Sequence, residues 1–141
     1  MAQVIAILLF IIFLCLSGIH FYWGLGGKWG GNAALPAKPN NELLFQPGLI
    51  ACFIVALGLL SFGLLILNKV ALITLPLPLW LYKYGIFGLS AIFAFRTIGD
   101  FKYIGFTRRV NNTLFAQMDR KYYTPLCLTL TVLILLLELL Y

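Results

Sequence analysis

A chain of 141 residues that is 62% hydrophobic and only 10% charged, with a mean hydropathy of +1.01, carries more apolar surface than a soluble domain of its size can hide. Its net charge of +6 does not point to nucleic acid, because the ten Lys and Arg residues sit at the edges of apolar runs rather than in one basic stripe among stacking aromatics. Cys15, Cys52 and Cys127 lie inside apolar segments at no zinc or redox spacing, and a single histidine is too few for a ligand set, so no disulfide, metal or cofactor is expected.

The pattern predicts an all-α fold, an integral membrane four-helix bundle forming one transmembrane domain over 1–141. Its spans fall at about 2–23, 47–67, 80–102 and 124–141. The first span has no charged side chain before Lys28, so the basic start of a cleaved signal is missing and a retained helix is expected. A helix of roughly 20 residues covers the ~30 Å hydrocarbon core, which brings His20, Phe21, Tyr22 and Trp23 to the interface.

From Gly24 to Gln46 the glycines, prolines and asparagines predict an irregular, glycine-rich loop. Pro47 suits a first helical turn, and Gly48 to Leu67 is the second uncharged run. Within it Gly48, Cys52 and Ala56, at spacing four, can seat a neighbouring helix closely. Pro76 and Pro78 disfavour a regular helix over 70–79, which leaves a loop, a re-entrant segment and a helix all open there. Trp80, Tyr82, Lys83 and Tyr84 read as the belt that starts the third span. Beyond that span, Val110, Leu114 and Met118 recur at helical spacing and predict a short interfacial amphipathic helix. Thr124 and Pro125 are expected as N-cap and first turn of the last span.

Orientation follows from the cations. The loops after spans one and three hold Lys28, Lys38, Lys102, Arg108, Arg109, Arg120 and Lys121, against Lys69 and Lys83 on the opposite side. Seven against two predicts both of those loops in the cytoplasm and both chain ends outside it.

Arg96 is the most informative single residue. It lies thirteen residues beyond Lys83, about 20 Å along the third helix, where a guanidinium costs at least ~2.5 kcal/mol and needs a partner or a wet cavity. Asp100, one turn on, is the expected partner, although Arg before Asp is the weaker order on a helix. Lys102, Arg109 or a group of the glycine loop can share that carboxylate. The pair is read either as a structural ion pair or as part of a site, and the sequence leaves both open.

His20 and Trp23, one turn apart, are read as an interfacial belt or as the wall of a site above Arg96; the belt is the preferred reading for Trp23. Lys28, bracketed by Gly26, Gly27, Gly30 and Gly31, can present backbone N–H groups to an anion, but without phosphate-loop spacing. Asp119 is expected to cap a turn or to pair with Arg109. The expected ligand-binding set is therefore His20, Trp23, Lys28, Arg96, Asp100, Lys102, Arg109 and Asp119, enclosing a polar pocket on the cytoplasmic side.

The blocks His20-Phe21-Tyr22-Trp23-Gly24-Leu25-Gly26-Gly27-Lys28-Trp29-Gly30, Leu35-Pro36 and Pro47-Gly48 form one half of a recognisable pattern. Arg96-Thr97-Ile98-Gly99-Asp100-Phe101-Lys102-Tyr103-Ile104-Gly105-Phe106, Phe115-Ala116, and Asp119 through Leu126 form the other. Together they resemble an uncharacterised bacterial family of small multi-span integral membrane proteins, a domain of unknown function. The resemblance implies a bacterial inner (cytoplasmic) membrane protein and supplies no activity.

Three function classes follow in order of preference. The first is a binding or accessory protein that holds an anionic group or docks on a larger membrane assembly. The second is an enzyme acting on a lipid-like substrate, ranked lower because no nucleophile–base pair or close carboxylate pair is visible. The third is an oligomeric transporter or channel. The expected partners are the lipid bilayer and its anionic headgroups, with a homo-oligomer or a larger membrane complex beyond them, and no nucleic acid.

Overall fold

The computed structural model describes residues 1–141 and is all-α. Four long helices are α1 (Ala2–Gly24), α3 (Leu49–Lys69), α4 (Leu79–Ile98) and α6 (Thr124–Leu140), and two short ones are α2 (Gly31–Ala34) and α5 (Leu114–Met118). A single turn of π-helix, Asp119–Tyr123, joins α5 to α6 without a break. The one β feature is an isolated antiparallel bridge between Ala37 and Leu43.

Three helical stretches are long and apolar enough to cross a membrane: Ala2–Gly24, Leu49–Lys69 and the continuous run Leu114–Leu140. The chain is thus a multi-pass membrane protein. α4 is about as long, but Lys83, Arg96 and the polar aromatics near its start leave it short of that composition.

The four long helices share one apolar core. α1 contributes Ala6, Leu9 and Phe13; α3 Leu59, Leu65 and Ile66; α4 Ile86, Leu89 and Phe93; α6 Leu130, Ile134 and Leu137. α1 lies mainly against α3, and α4 against α6. In lipid, burial of such side chains gains little by transfer, so close packing and polar ties must hold the helices together. Cys52 and Ala56 are buried, and Ser17 of α1 donates to the Ala56 carbonyl of α3 at 2.7 Å. An interhelical bond of this kind is worth roughly 0.6–1.7 kcal/mol.

The connections differ at the two ends. At one end residues 70–78 form an irregular turn with no helical segment. Asn68 accepts from the Leu75 amide and donates to Tyr82, whose hydroxyl donates to the Leu75 carbonyl, so a buried asparagine shapes the Pro76–Pro78 stretch. Lys69 meets Glu138 at 3.1 Å, tying the ends of α3 and α6. At the opposite end lie the two long connections, 25–48, which holds α2, and 99–113, and Tyr123 of the π-turn donates its hydroxyl to the Ala33 carbonyl of α2 at 3.1 Å.

Four expected boundaries change. Pro47 and Val110 fall outside their helices, α3 starting at Leu49 with Gly48 as N-cap and α5 at Leu114 with Thr113 as N-cap. α4 stops at Ile98 instead of running to about 102, because Gly99 takes φ +94 and turns the chain out of the helix. Thr124 is no N-cap: the helix already starts at Leu114, where the Thr113 hydroxyl accepts from the Ala116 amide at 3.1 Å. Pro125 has no N–H to donate back into the preceding turn. The helix passes it by widening, with the Thr124 amide donating to the Asp119 carbonyl five residues back.

Candidate functional site

Asp119 lies in the π-turn and is fully buried. A buried carboxylate needs partners, and three converge on it. Arg96 Nη2 meets Oδ1 at 2.8 Å, Arg108 Nη1 meets Oδ2 at 2.7 Å, and the Gly105 amide donates to Oδ2 at 2.9 Å. Arg108 also donates to the Gly105 carbonyl at 2.9 Å, so one guanidinium binds both the loop and the helix. The cluster fastens the end of α4 and the 99–113 loop to the last span. Arg96 Nη1 and the Thr124 hydroxyl are buried beside it without a partner in the chain.

The loop that carries Arg108 is built from its own sequence. Gly99 and Gly105 both hold positive φ, and their backbones touch: a Cβ on Gly105 would stand 2.6 Å from the Thr97 carbonyl oxygen. The Phe106 amide donates to that same oxygen at 2.9 Å. Asp100 turns back on the loop, one of its oxygens accepting from the amides of Lys102, Tyr103 and Ile104 at 2.7–3.0 Å. Partial burial pushes the Asp100 pKa up, but these amides outweigh it and hold the carboxyl below the ordinary aspartate range.

A cavity of about 570 Å3 opens between the end of α1, the glycine-rich loop and the start of α3. Its apolar wall includes Leu35, Leu43, Phe45, Pro47, Ala51 and Val55, and its polar groups are His20, Trp23, Lys28, Asn32 and Gln46. That is the size and make-up of a ligand site, apolar with a few polar groups. Lys28 is the one charged side chain in the wall. Trp23 Nε1 donates to the Trp29 carbonyl at 2.8 Å, which folds the loop back over α1, and the His20 ring meets Trp23 edge-on at 5.2 Å. His20 Nδ1 lies 2.7 Å from the Leu16 carbonyl oxygen. A carbonyl only accepts, so this bond assigns the proton to Nδ1 and leaves Nε2 as the ring's second hydrogen-bonding site.

The structure divides the eight expected residues into two groups. His20, Trp23 and Lys28 line the cavity; Arg96, Asp100, Lys102, Arg109 and Asp119 are not among its lining residues. Arg96 does not pair with Asp100, because Gly99 ends the helix between them; its partner is Asp119, 23 residues further on. Asp119 takes Arg108 in place of Arg109, which is exposed and donates its amide to the Lys102 carbonyl. Lys102 is exposed too, its ammonium over the Tyr103 ring at 5.1 Å. Arg108, Gly105 and the apolar cavity wall escaped the sequence reading. The signal for Arg108 was the spacing Gly99-Asp100…Gly105, which marks a compact turn just before it.

All four carboxylates of the chain are engaged: Glu42 with Lys38 at 3.6 Å, Glu138 with Lys69, Asp100 with the loop amides and Asp119 with two guanidiniums. Asp119 has about four lone-pair positions and three are used. Both aspartates are thus held by partners within the chain.

A family model described as "Protein of unknown function (DUF3995)" matches residues 13–134. No curated protein and no solved structure matches the chain.

Proposed function

This chain belongs to that family, whose description assigns no activity, and we propose from the geometry that it is a binding or accessory membrane protein whose cavity holds a phosphate-bearing anionic group. The observation that supports this most is the cavity wall, where Lys28 is the sole charge among apolar side chains and the amides of Asn32 and Gln46. Lys28 offers an anion a point charge, as phosphate-binding lysines do, with Asn32 and Gln46 as further donors. Catalysis is the weaker reading, since every carboxylate is already occupied by structural partners.

The same reading takes α4 as a fourth span. Phe87, Ile92 and Phe95 of α4 point outward and suit lipid, while Lys83 lies near its start and Arg96 at its end is neutralised by Asp119. Four spans put both long loops on one side. With seven of the ten cations there, that side is the cytoplasm, with both termini outside it. The cavity then opens at the leaflet that carries the anionic lipids.

Glycerol 3-phosphate tests the anion site. A variant keeping Trp23 as the sole tryptophan (Trp29→Phe, Trp80→Phe) should show a saturable change in emission on titration, weakened at least tenfold by Lys28→Gln. No saturable change in the unsubstituted-lysine protein overturns the reading.

A further inference from the structure

Resting on the anion site just described, we infer that its ligand is an anionic lipid, which enters sideways from the bilayer with its phosphate at Lys28 and a chain along the start of α3. The argument is one of continuity. Ala51 and Val55, one turn apart on α3, line the cavity and are themselves exposed. The neighbouring Leu49, Ile50 and Ile54 are exposed as well, so the cavity wall runs without interruption into a surface made for acyl chains. A site for a soluble anion would be walled off from that surface by polar or bulky groups. Here the wall on that side is aliphatic.

Polarity is ordered along the same path. Lys28, His20 and Asn32 belong to the end of α1 and the glycine-rich loop, whereas Val55 lies two turns inside α3. Charge at the interface and methyl groups one to two turns deeper repeat the layout of a phospholipid: headgroup outermost, chain beneath. Size points the same way. A cavity of about 570 Å3 holds a headgroup with the upper part of one chain, and the remainder of the molecule stays in the bilayer. A chain leaving lipid for this groove gains little by transfer, so selectivity has to come from the headgroup at Lys28.

Trp23, in the cavity wall, is placed to report such a chain. The protein with Trp23 as sole tryptophan is reconstituted into vesicles of phosphatidylcholine with one-fifth phosphatidylglycerol, the bromine label being carried on the chains of one lipid or of the other. Occupancy by the anionic lipid predicts that brominated phosphatidylglycerol quenches Trp23 at least threefold more, per molecule, than brominated phosphatidylcholine. Lys28→Gln should abolish that excess. Equal quenching by the two lipids overturns the lipid inference. If glycerol 3-phosphate still binds in that case, the cavity is a soluble-anion site and the proposed function stands. If glycerol 3-phosphate fails as well, both are wrong.

Discussion

Arg108 Nη1 stands 2.7 Å from Asp119 Oδ2, and the Arg108 side chain is only 6% exposed against 29% for Arg96 on the same carboxylate. The loop residue is therefore the more deeply committed partner, and Arg96 is the second cation of a cluster that Arg108 can partly sustain.

Asp119→Asn should be the most damaging single change at this end. It leaves two guanidiniums facing no charge, and breaking a buried pair in this way costs about 3–5 kcal/mol. Arg96→Leu should cost less, because Asp119 keeps Arg108 and the Gly105 amide. In the Asp119→Asn background Arg96→Leu should become neutral or stabilising, whereas Asp100→Asn should show no coupling to Arg96. Thermal unfolding of the purified single and double variants measures these differences. A larger coupling of Arg96 to Asp100 than to Asp119 would reject the cluster.

Asp100 sets the acid limit of the 99–113 loop. Its folded pKa is depressed, so its contribution to stability is complete above the unfolded value of about 4 and is lost as pH falls through the lower folded one. Exchange of the Lys102, Tyr103 and Ile104 amides should be unchanged, apart from intrinsic chemistry, between about pH 7 and pH 5, and should accelerate below about pH 4. Asp100→Ala should give the fast rates at every pH. Asp100→Asn, which keeps an accepting oxygen, should fall between.

Gly99→Ala and Gly105→Ala each combine a left-handed backbone with no room for a methyl group. Both should destabilise by more than ~1 kcal/mol, since the strain of φ > 0 adds to the overlap. Gly58→Ala, a helical position with open space around it, is the control and should lose nothing. Melting temperatures of the three variants decide the matter.

Span number can be read from the two termini. With α4 as a fourth span, reporters at the N- and C-terminus fall on the same side of the membrane, and the cation bias puts that side outside the cytoplasm. With only the three most apolar stretches crossing, the termini fall on opposite sides. A cytoplasm-only reporter should be silent at both ends; activity at one end alone means three spans.

Long apolar runs carry their message locally, and for that reason the four long helices and the grouping of cations were legible in the sequence. The site was less so. The Arg96–Asp100 pairing failed because spacing along a helix says nothing once the helix ends, and Gly99, directly between the two, is the kind of residue that ends one. The true partner, Asp119, lies across a loop whose fold depends on two glycines touching, a non-local contact that no periodicity encodes. The cavity shows the same limit. Its polar rim, His20, Trp23 and Lys28, was visible as a cluster near the first span, but Leu43, Phe45 and Val55 come together only when residues 35–47 fold back over α3.

The π-turn at Asp119–Tyr123 makes this end of the protein sensitive to sequence length rather than to composition. Asp119 and Thr124 are five residues apart and both buried, although five residues of regular α-helix would place them about 140° apart. The extra residue in the wide turn keeps the polar end and the apolar span in phase with the same interior. Removing one residue from 120–122 would leave the hydropathy of the span almost unaltered and its helix more regular. Asp119 and Thr124 would then be four residues apart, about 40° in net rotation, so Asp119 would keep nearly its present bearing toward both guanidiniums. A one-residue deletion there should therefore leave the junction between loop and span intact, whereas a one-residue insertion, with the wide turn already taken up, should rotate Asp119 by about 100° and dissolve the junction while leaving a helix that still inserts.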